Sequence, residues 1–158
     1  MRITAKADYA VRAAAHLAAA EPGVWVKADA IAAAQRVPNA FLLTILAVLR
    51  DGGIVESRRG LEGGYRLAHA PKDLVVADII RAIDGPLASI SGKFVEEMEY
   101  DGAATHLRET WVALRAAIRG VLEQVTLEAL VSGDMPEHVQ DLLADKENWT
   151  TRPPGLRA

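Results

Sequence analysis

The sequence contains no cysteine, which excludes disulfides, thiolate metal sites and a cysteine nucleophile. No uninterrupted apolar run approaches the roughly 18 residues that a membrane span needs. Near the N-terminus, Asp8, Arg12 and His16 interrupt what would be the apolar stretch of a signal peptide, although Arg2 and Lys6 precede it. The expected location is therefore the cytoplasm. His16, His69, His106 and His138 show no pairwise metal-ligand spacing, and packing or surface roles account for them. There is no nucleophile–base pair and no phosphate loop, which leaves an enzyme as the least favoured class.

What the chain does contain suits one domain of ordinary size with an appended element. It has 158 residues, 51% of them hydrophobic. Much of that fraction is alanine, which favours helix but contributes little burial per residue. Charge is divided unevenly. Residues 1–70 carry nine Lys and Arg against six Asp and Glu, a balance of +3. Residues 71–158 carry nine against fifteen, a balance of −6, which accounts for the net −3. A basic half beside an acidic half suits a duplex-contacting part and a separate partner or sensing region; ordinary surface scatter is the alternative.

The most informative stretch is Val37 to Leu67. Pro38 is tolerated in a first helical turn and disfavours helical geometry at Val37, so a turn between two helices belongs here. Phe41, Leu42, Ile45, Leu46 and Leu49 then recur at the spacing of one buried helix face. Gly52-Gly53 stops that helix. Ile54–Ser57 and Tyr65–Ala68 read as two short strands, joined by a loop with Arg58, Arg59, Gly60, Gly63 and Gly64. A helix followed by a hairpin with a basic, glycine-rich tip is the layout of a winged helix-turn-helix.

Around this stretch, helices are expected over 5–20, 28–36 and 39–51, with Val24-Trp25-Val26 as a short third strand beside the hairpin. A fourth helical segment covers 74–83 and stops at Asp84-Gly85-Pro86. From Leu87 to Ala103 periodicity fades into a loop with Glu96, Glu97, Glu99 and Asp101; it is read as solvated, with cation binding as the weaker option. The longest helix is expected over 104–132. Leu107, Trp111, Leu114, Ile118, Val121 and Val125 recur there at spacings of 4, 3, 4, 3 and 4, a heptad-like seam. A short helix over 136–144 and a polar, Pro-containing tail follow.

In order of parts and in local sequence the chain resembles the Rrf-type family of bacterial regulators, the IscR, NsrR and CymR group. The matching residues are Asp8–Arg12, Ile31-Ala32, Val37-Pro38, Phe41-Leu42 and Ile45-Leu46, then Gly53–Ser57, Arg59-Gly60, Gly63-Gly64-Tyr65 and Leu67-Ala68. Pro71, Asp78-Ile79-Ile80 and Asp84-Gly85-Pro86 complete the set. The resemblance is close over about residues 1–87 and loose over the long helix. It implies a homodimeric winged-helix transcription factor that binds double-stranded DNA, dimerised largely through the long helix. Many members hold an iron–sulfur cluster with three cysteines in the loop that corresponds to Leu87–Ala103; here that loop has none. Asp8 and His106 match or lie near cluster-ligand positions of some members, and without thiolates they cannot hold the usual cluster. No cofactor is therefore expected.

The expected fold is mainly α with a small β-wing. A winged helix-turn-helix domain covers 1–86, and a sensor-type loop covers 87–103. The dimerisation helix and short C-terminal helix cover 104–146, and a flexible tail covers 147–158. Arg58 and Arg59, with Gly60 beside them, are candidate wing contacts to bases or phosphates, or else part of a solvated turn. Asn39 and Thr44 lie nearest the start of the recognition helix, where base edges are met, and Asn39 is equally a candidate helix cap. Lys6, Lys27, Gln35 and Arg36 stand at helix ends or turns where phosphates lie, with plain surface charge as the alternative. The seam residues Leu107 to Val125 are the candidate dimer interface. Trp111 is either core or, with Phe94 and Tyr100, the wall of an effector pocket. The leading function is a dimeric repressor of a palindromic operator whose signal is a small molecule or a protein partner. The alternative is a binding module acting mainly through a protein partner, for example a metabolic enzyme.

Overall fold

The computed structural model describes residues 3–151. Its helices are α1 (Ala5–Ala18), α2 (Ala28–Gln35), α3 (Asn39–Asp51), α4 (Val76–Asp84), α5 (Leu107–Leu122), α6 (Leu127–Ser132) and α7 (Glu137–Ala144). Strands β1 (Val55–Arg58) and β2 (Gly64–Leu67) lie between α3 and α4. The expected mainly helical fold with a small β-wing is present. Among the described residues no single helix is long and apolar enough to cross a membrane.

The alanine-rich composition is put to use in α1. Thr4 caps this helix: its hydroxyl accepts from the Ala7 amide at 3.0 Å and donates to the Asp84 carboxylate at 2.8 Å. The buried face consists of Ala7, Ala10, Ala13 and Ala14, with Leu17 at its end. Side chains this small allow neighbours to approach closely, and α1 packs at the centre against α2, α3, α4, α6 and β2.

Arg36 closes α2 in the left-handed conformation, φ 53°, and the Val37 amide reaches back to the Ala32 carbonyl at 3.0 Å. The chain bends by 115° between α2 and α3, as a helix-turn-helix requires. Leu42, Ile45, Leu46 and Leu49 are fully buried, each worth about 1.5–3 kcal/mol of burial. Phe41, which the spacing placed on the same face, is instead 38% exposed. It lies at the edge, where its ring meets Tyr9 edge-on with centroids 5.8 Å apart.

The two strands pair antiparallel, Val55 with Leu67 through Arg58 with Gly64. They sit one residue nearer the wing tip than the sequence suggests. The Ala68 amide still bonds the Ile54 carbonyl at 3.0 Å. The expected third strand shrinks to one bridge, Val26 with Tyr65, closed by hydrogen bonds of 2.9 and 2.8 Å. Glycine is required at this junction. A Cβ on Gly64 would lie 2.4 Å from the Val26 carbonyl oxygen, and one on Gly63 would lie 2.1 Å from that of Arg58.

The C-terminal half corrects the sequence reading in three places. The helix expected over 104–132 is broken. It stops at Leu122, and Thr126 begins α6 by accepting from the Ala129 amide at 3.0 Å. The break has a cause: Val125 and Leu127 are buried, and the extended backbone around them pairs with the start of α4. The Val76 amide bonds the Val125 carbonyl and the Leu127 amide bonds the Leu74 carbonyl, each at 2.9 Å. Val125 therefore belongs to the chain's own core, with Ala7, Ala77, Ile80 and Val139, and not to the α5 seam. Second, the loop over 87–103, in which Phe94, Met98 and Tyr100 are the expected ordering residues, is pinned also by Val95, which is buried, and by an Ile90–Lys93 bridge. Third, part of the expected flexible tail is folded. Residues Lys146–Trp149 form a 3-10 turn, and Asn148 and Trp149 side chains donate to the Leu142 and Leu143 carbonyls at 2.9 and 2.8 Å. The remainder of that tail, 152–158, lies outside the described residues.

Candidate nucleic-acid interface

The start of α2 joins three parts of the chain into one edge. Lys27, the residue before α2, donates from its ammonium to the Gly60 carbonyl at 3.1 Å and to the Leu61 carbonyl. Two residues on, the Asp29 carboxylate accepts from the Asn39 side-chain amide. The wing tip, the start of α2 and the start of α3 are thus tied together. Gly60 makes the tip possible, since its φ of 102° is disfavoured for any residue with a Cβ.

Arg58 and Arg59 stand exposed on this tip. Among the described residues neither guanidinium has a hydrogen-bond or ion-pair partner, whereas Arg50 is paired with Asp51 and Arg66 with Glu56, each at 2.8 Å. Arg66 also lies over the Trp25 ring, 4.4 Å from its centroid. The unneutralised cations of the hairpin are therefore at its tip. On α3, Thr44 is exposed, its hydroxyl donating to the Ala40 carbonyl at 3.3 Å, and Leu43 beside it is 43% exposed. Asn39 is not the cap of α3, because Pro38 holds that position; its amide is engaged by Asp29. Arg36 is exposed in the turn between α2 and α3, and Gln35 lies 3.5 Å from His16. Lys6 is half-buried in the first turn of α1, and no hydrogen bond or ion pair among the described residues connects it to this edge.

The candidate dimer face is only partly open. No residue of α5 is fully buried. Ile118 and Val121 pack against the chain's own core, as Val125 does. Leu107 and Trp111 are half-buried, and Leu114 is 40% exposed. The seam thus divides, with its second half covered within the chain and its first half only partly covered, Leu114 most open.

The three aromatics of the expected effector pocket also separate. Trp111 donates from its indole to the Tyr100 hydroxyl at 3.1 Å. Phe94 instead lines a different cavity, with Arg81, Arg115 and Arg119. Sequence reasoning missed these arginines. The four-residue spacing of Arg115 and Arg119 on one helix was a visible signal, but Arg81 arrives through packing of α4 on α5. Arg81 and Arg119 both hold Glu123, Arg119 at 3.1 Å, and Arg115 holds Glu96. Their guanidinium hydrogen bonds keep both carboxyls below the usual carboxylate range, Arg81 foremost for Glu123 and Arg115 for Glu96.

An iron–sulfur cluster does not fit these residues. The chain has no thiolate, and among the described residues no group of three or more His, Asp or Glu could hold a metal. The Asp8 carboxylate is paired with Arg12 at 3.2 Å. His106 is 91% exposed and faces Glu109 at 3.5 Å.

Comparison with known proteins agrees with this architecture. Residues 3–133 match the Rrf2 family, described as an iron-dependent transcriptional regulator. A Mycobacterium tuberculosis (H37Rv) protein, provisionally named an HTH-type transcriptional regulator, is 48% identical over 92% of this chain and 90% of its own length. The HTH-type transcriptional regulator CymR of Bacillus subtilis is 33% identical over 84% of this chain and 91% of its own length. The solved structure of B. subtilis CymR, titled the global cysteine regulator, superposes with a TM-score of 0.72 at 30% identity. It covers 84% of this chain and 97% of that one. A solved IscR from T. potens gives 0.69 at 30% identity, over 89% and 91%. The helix-turn-helix, the wing and these matches lead to one assignment: the chain belongs to the Rrf2 family of DNA-binding transcriptional regulators.

Proposed function

We propose that the chain acts as a homodimeric repressor in the cytoplasm, binding a palindromic operator without an iron–sulfur cluster, and that it is not an enzyme. The observation that carries this reading is the edge made by the unpaired Arg58 and Arg59, the Lys27 tie and the start of α3. In it, α3 enters a major groove with Thr44 and Leu43 toward base edges. The wing arginines lie on phosphates, on a guanine edge or in the adjacent minor groove. Asn39 reaches a base only by leaving Asp29, so its contribution depends on that exchange. Lys27 acts by fixing the wing, and Arg36 and Lys6 provide flanking positive charge.

The partly open half of the α5 seam, Leu107, Trp111 and Leu114, supports pairing with a second copy. A two-fold dimer places two α3 helices in successive major grooves, so half-site centres fall about 10 bp apart or at a small multiple of that. The absence of cluster ligands supports a signal of another kind, a small molecule or protein partner acting at the 87–111 segment. Gel shift and footprinting on the gene's own upstream region test the reading. A symmetric footprint with that spacing is expected; failure to shift any duplex above the non-specific level refutes DNA regulation.

A further inference from the structure

We propose that the cavity between α4, α5 and the 86–96 segment binds a small organic monocarboxylate with an apolar body. The ligand's carboxylate takes the place of Glu96 on Arg115. The cavity holds about 200 Å3, the liquid volume of roughly seven waters, which suits a molecule the size of benzoate.

Its walls have two characters. Arg81, Arg115 and Arg119 supply three guanidiniums, and Pro86, Leu87 and Phe94 supply apolar surface. Phe94 is 47% exposed, so its ring is open to a ligand. Arg81 is engaged by Asp78 at 3.7 Å and by Glu123, but the other two are incompletely used: Arg115 bonds Glu96 through one terminal nitrogen and Arg119 bonds Glu123 through Nε. Among the described residues nothing meets the remaining nitrogens of Arg115 and Arg119. An arginine fork matches two oxygens of a carboxylate or of a phosphate alike, so it is the apolar wall of Pro86, Leu87 and Phe94 that favours an anion with an apolar body over inorganic phosphate.

Glu96 is a replaceable occupant. Its side chain is 61% exposed, against 23% for Arg115, so returning the carboxylate to water costs little and leaves the arginine facing the cavity. A carboxylate with an apolar body offers Arg115 the same charge and also covers Phe94 and Leu87, as Glu96 does not. The wall it enters is already strained at Ala88, which adopts left-handed backbone, φ 56°, without being glycine, as does Ser91 farther along the same segment, φ 52°. Such strain collects at ligand clamps and switch segments.

Displacing Glu96 removes the ion pair between the Val95–Glu97 turn and α5, at the residue next to the exposed Leu114. For that consequence the proposal rests on the dimeric repressor reading; for binding itself it does not. A ligand alters operator affinity only if it prefers one arrangement of the two α3 helices over the other.

The test is isothermal titration of the purified full chain with benzoate, benzamide and inorganic phosphate, without DNA. Saturable benzoate binding is expected, with benzamide and phosphate weaker by about tenfold or more. Arg115→Ala should weaken benzoate by about tenfold or more, and Glu96→Gln should strengthen it by removing the competitor. Arg115→Lys, which keeps the charge and loses the fork, makes the same test if Arg115→Ala does not fold. No benzoate binding at millimolar concentration by wild type and Glu96→Gln would overturn the proposal. So would binding unaffected by either Arg115 variant, or phosphate binding as tightly as benzoate. Gel shifts run in parallel keep the two readings apart: benzoate binding by a chain that shifts no DNA refutes the repressor and leaves the cavity assigned.

Discussion

The Lys27 ammonium donates to the Gly60 carbonyl at 3.1 Å, so the residue that opens α2 also holds the tip of the wing. A lysine that looked like a phosphate contact thereby gains an architectural role. Lys27→Met retains most of the stem and removes the donor. Operator affinity should fall by about 1 kcal/mol with an unchanged salt slope. A slope flatter by about one unit would mean that Lys27 instead neutralises a phosphate.

Arg59→Ala should lower operator affinity, with Arg58→Ala next. If Arg59 reads a guanine, the loss is about 1–3 kcal/mol and one base pair loses its preference. A phosphate contact instead weakens every duplex alike and flattens the salt slope by about one unit. Wild-type affinity in the double variant, measured by fluorescence anisotropy, would refute the wing assignment.

Leu114 and Ile118 lie four residues apart on α5 and should respond differently. Leu114 is exposed in the single chain, so Leu114→Glu should weaken dimerisation and operator binding together while thermal stability barely changes. Ile118 packs on the chain's own core, and Ile118→Glu should also cost about 2 kcal/mol or more of folding stability. Sedimentation and thermal melts separate these effects. Equal melting losses for both variants would contradict the divided seam.

Glu123, held by Arg81 and Arg119, has its carboxyl below the ordinary value of 4.5. A depressed folded-state value means stabilisation that is fully present above that ordinary value and lost as pH falls through the lower folded one. Glu123→Gln should therefore be less stable than wild type at neutral pH, and the gap should close under acid. Denaturant melts across pH check this, and a gap that stays constant into acid would remove the ion pairs as its cause.

Legibility differed along the chain for physical reasons. The α3 face could be read because Leu42, Ile45, Leu46 and Leu49 repeat at helical spacing, and the wing because arginine and glycine cluster between two β-forming runs. Phe41 was misplaced because periodicity does not tell the edge of a buried face from its middle. Val125 continued the seam by spacing, yet its carbonyl bonds Val76 and its side chain lies in the core, a long-range pairing that no local pattern announces. The same limit hid the arginine cavity. Arg115 and Arg119 are neighbours on one helix, but Arg81 and Phe94 reach them only through tertiary packing.

The central claim is operator binding by an iron-free chain, and anaerobic purification followed by a gel shift on the chain's own upstream region tests it most directly. With no thiolate to offer iron, the protein should be colourless, lack stoichiometric iron and sulfide, and shift its operator equally well with or without a chelator, an oxidant or nitric oxide. A brown protein carrying stoichiometric iron and sulfide, or an iron-free one that leaves the operator unshifted, would contradict the account.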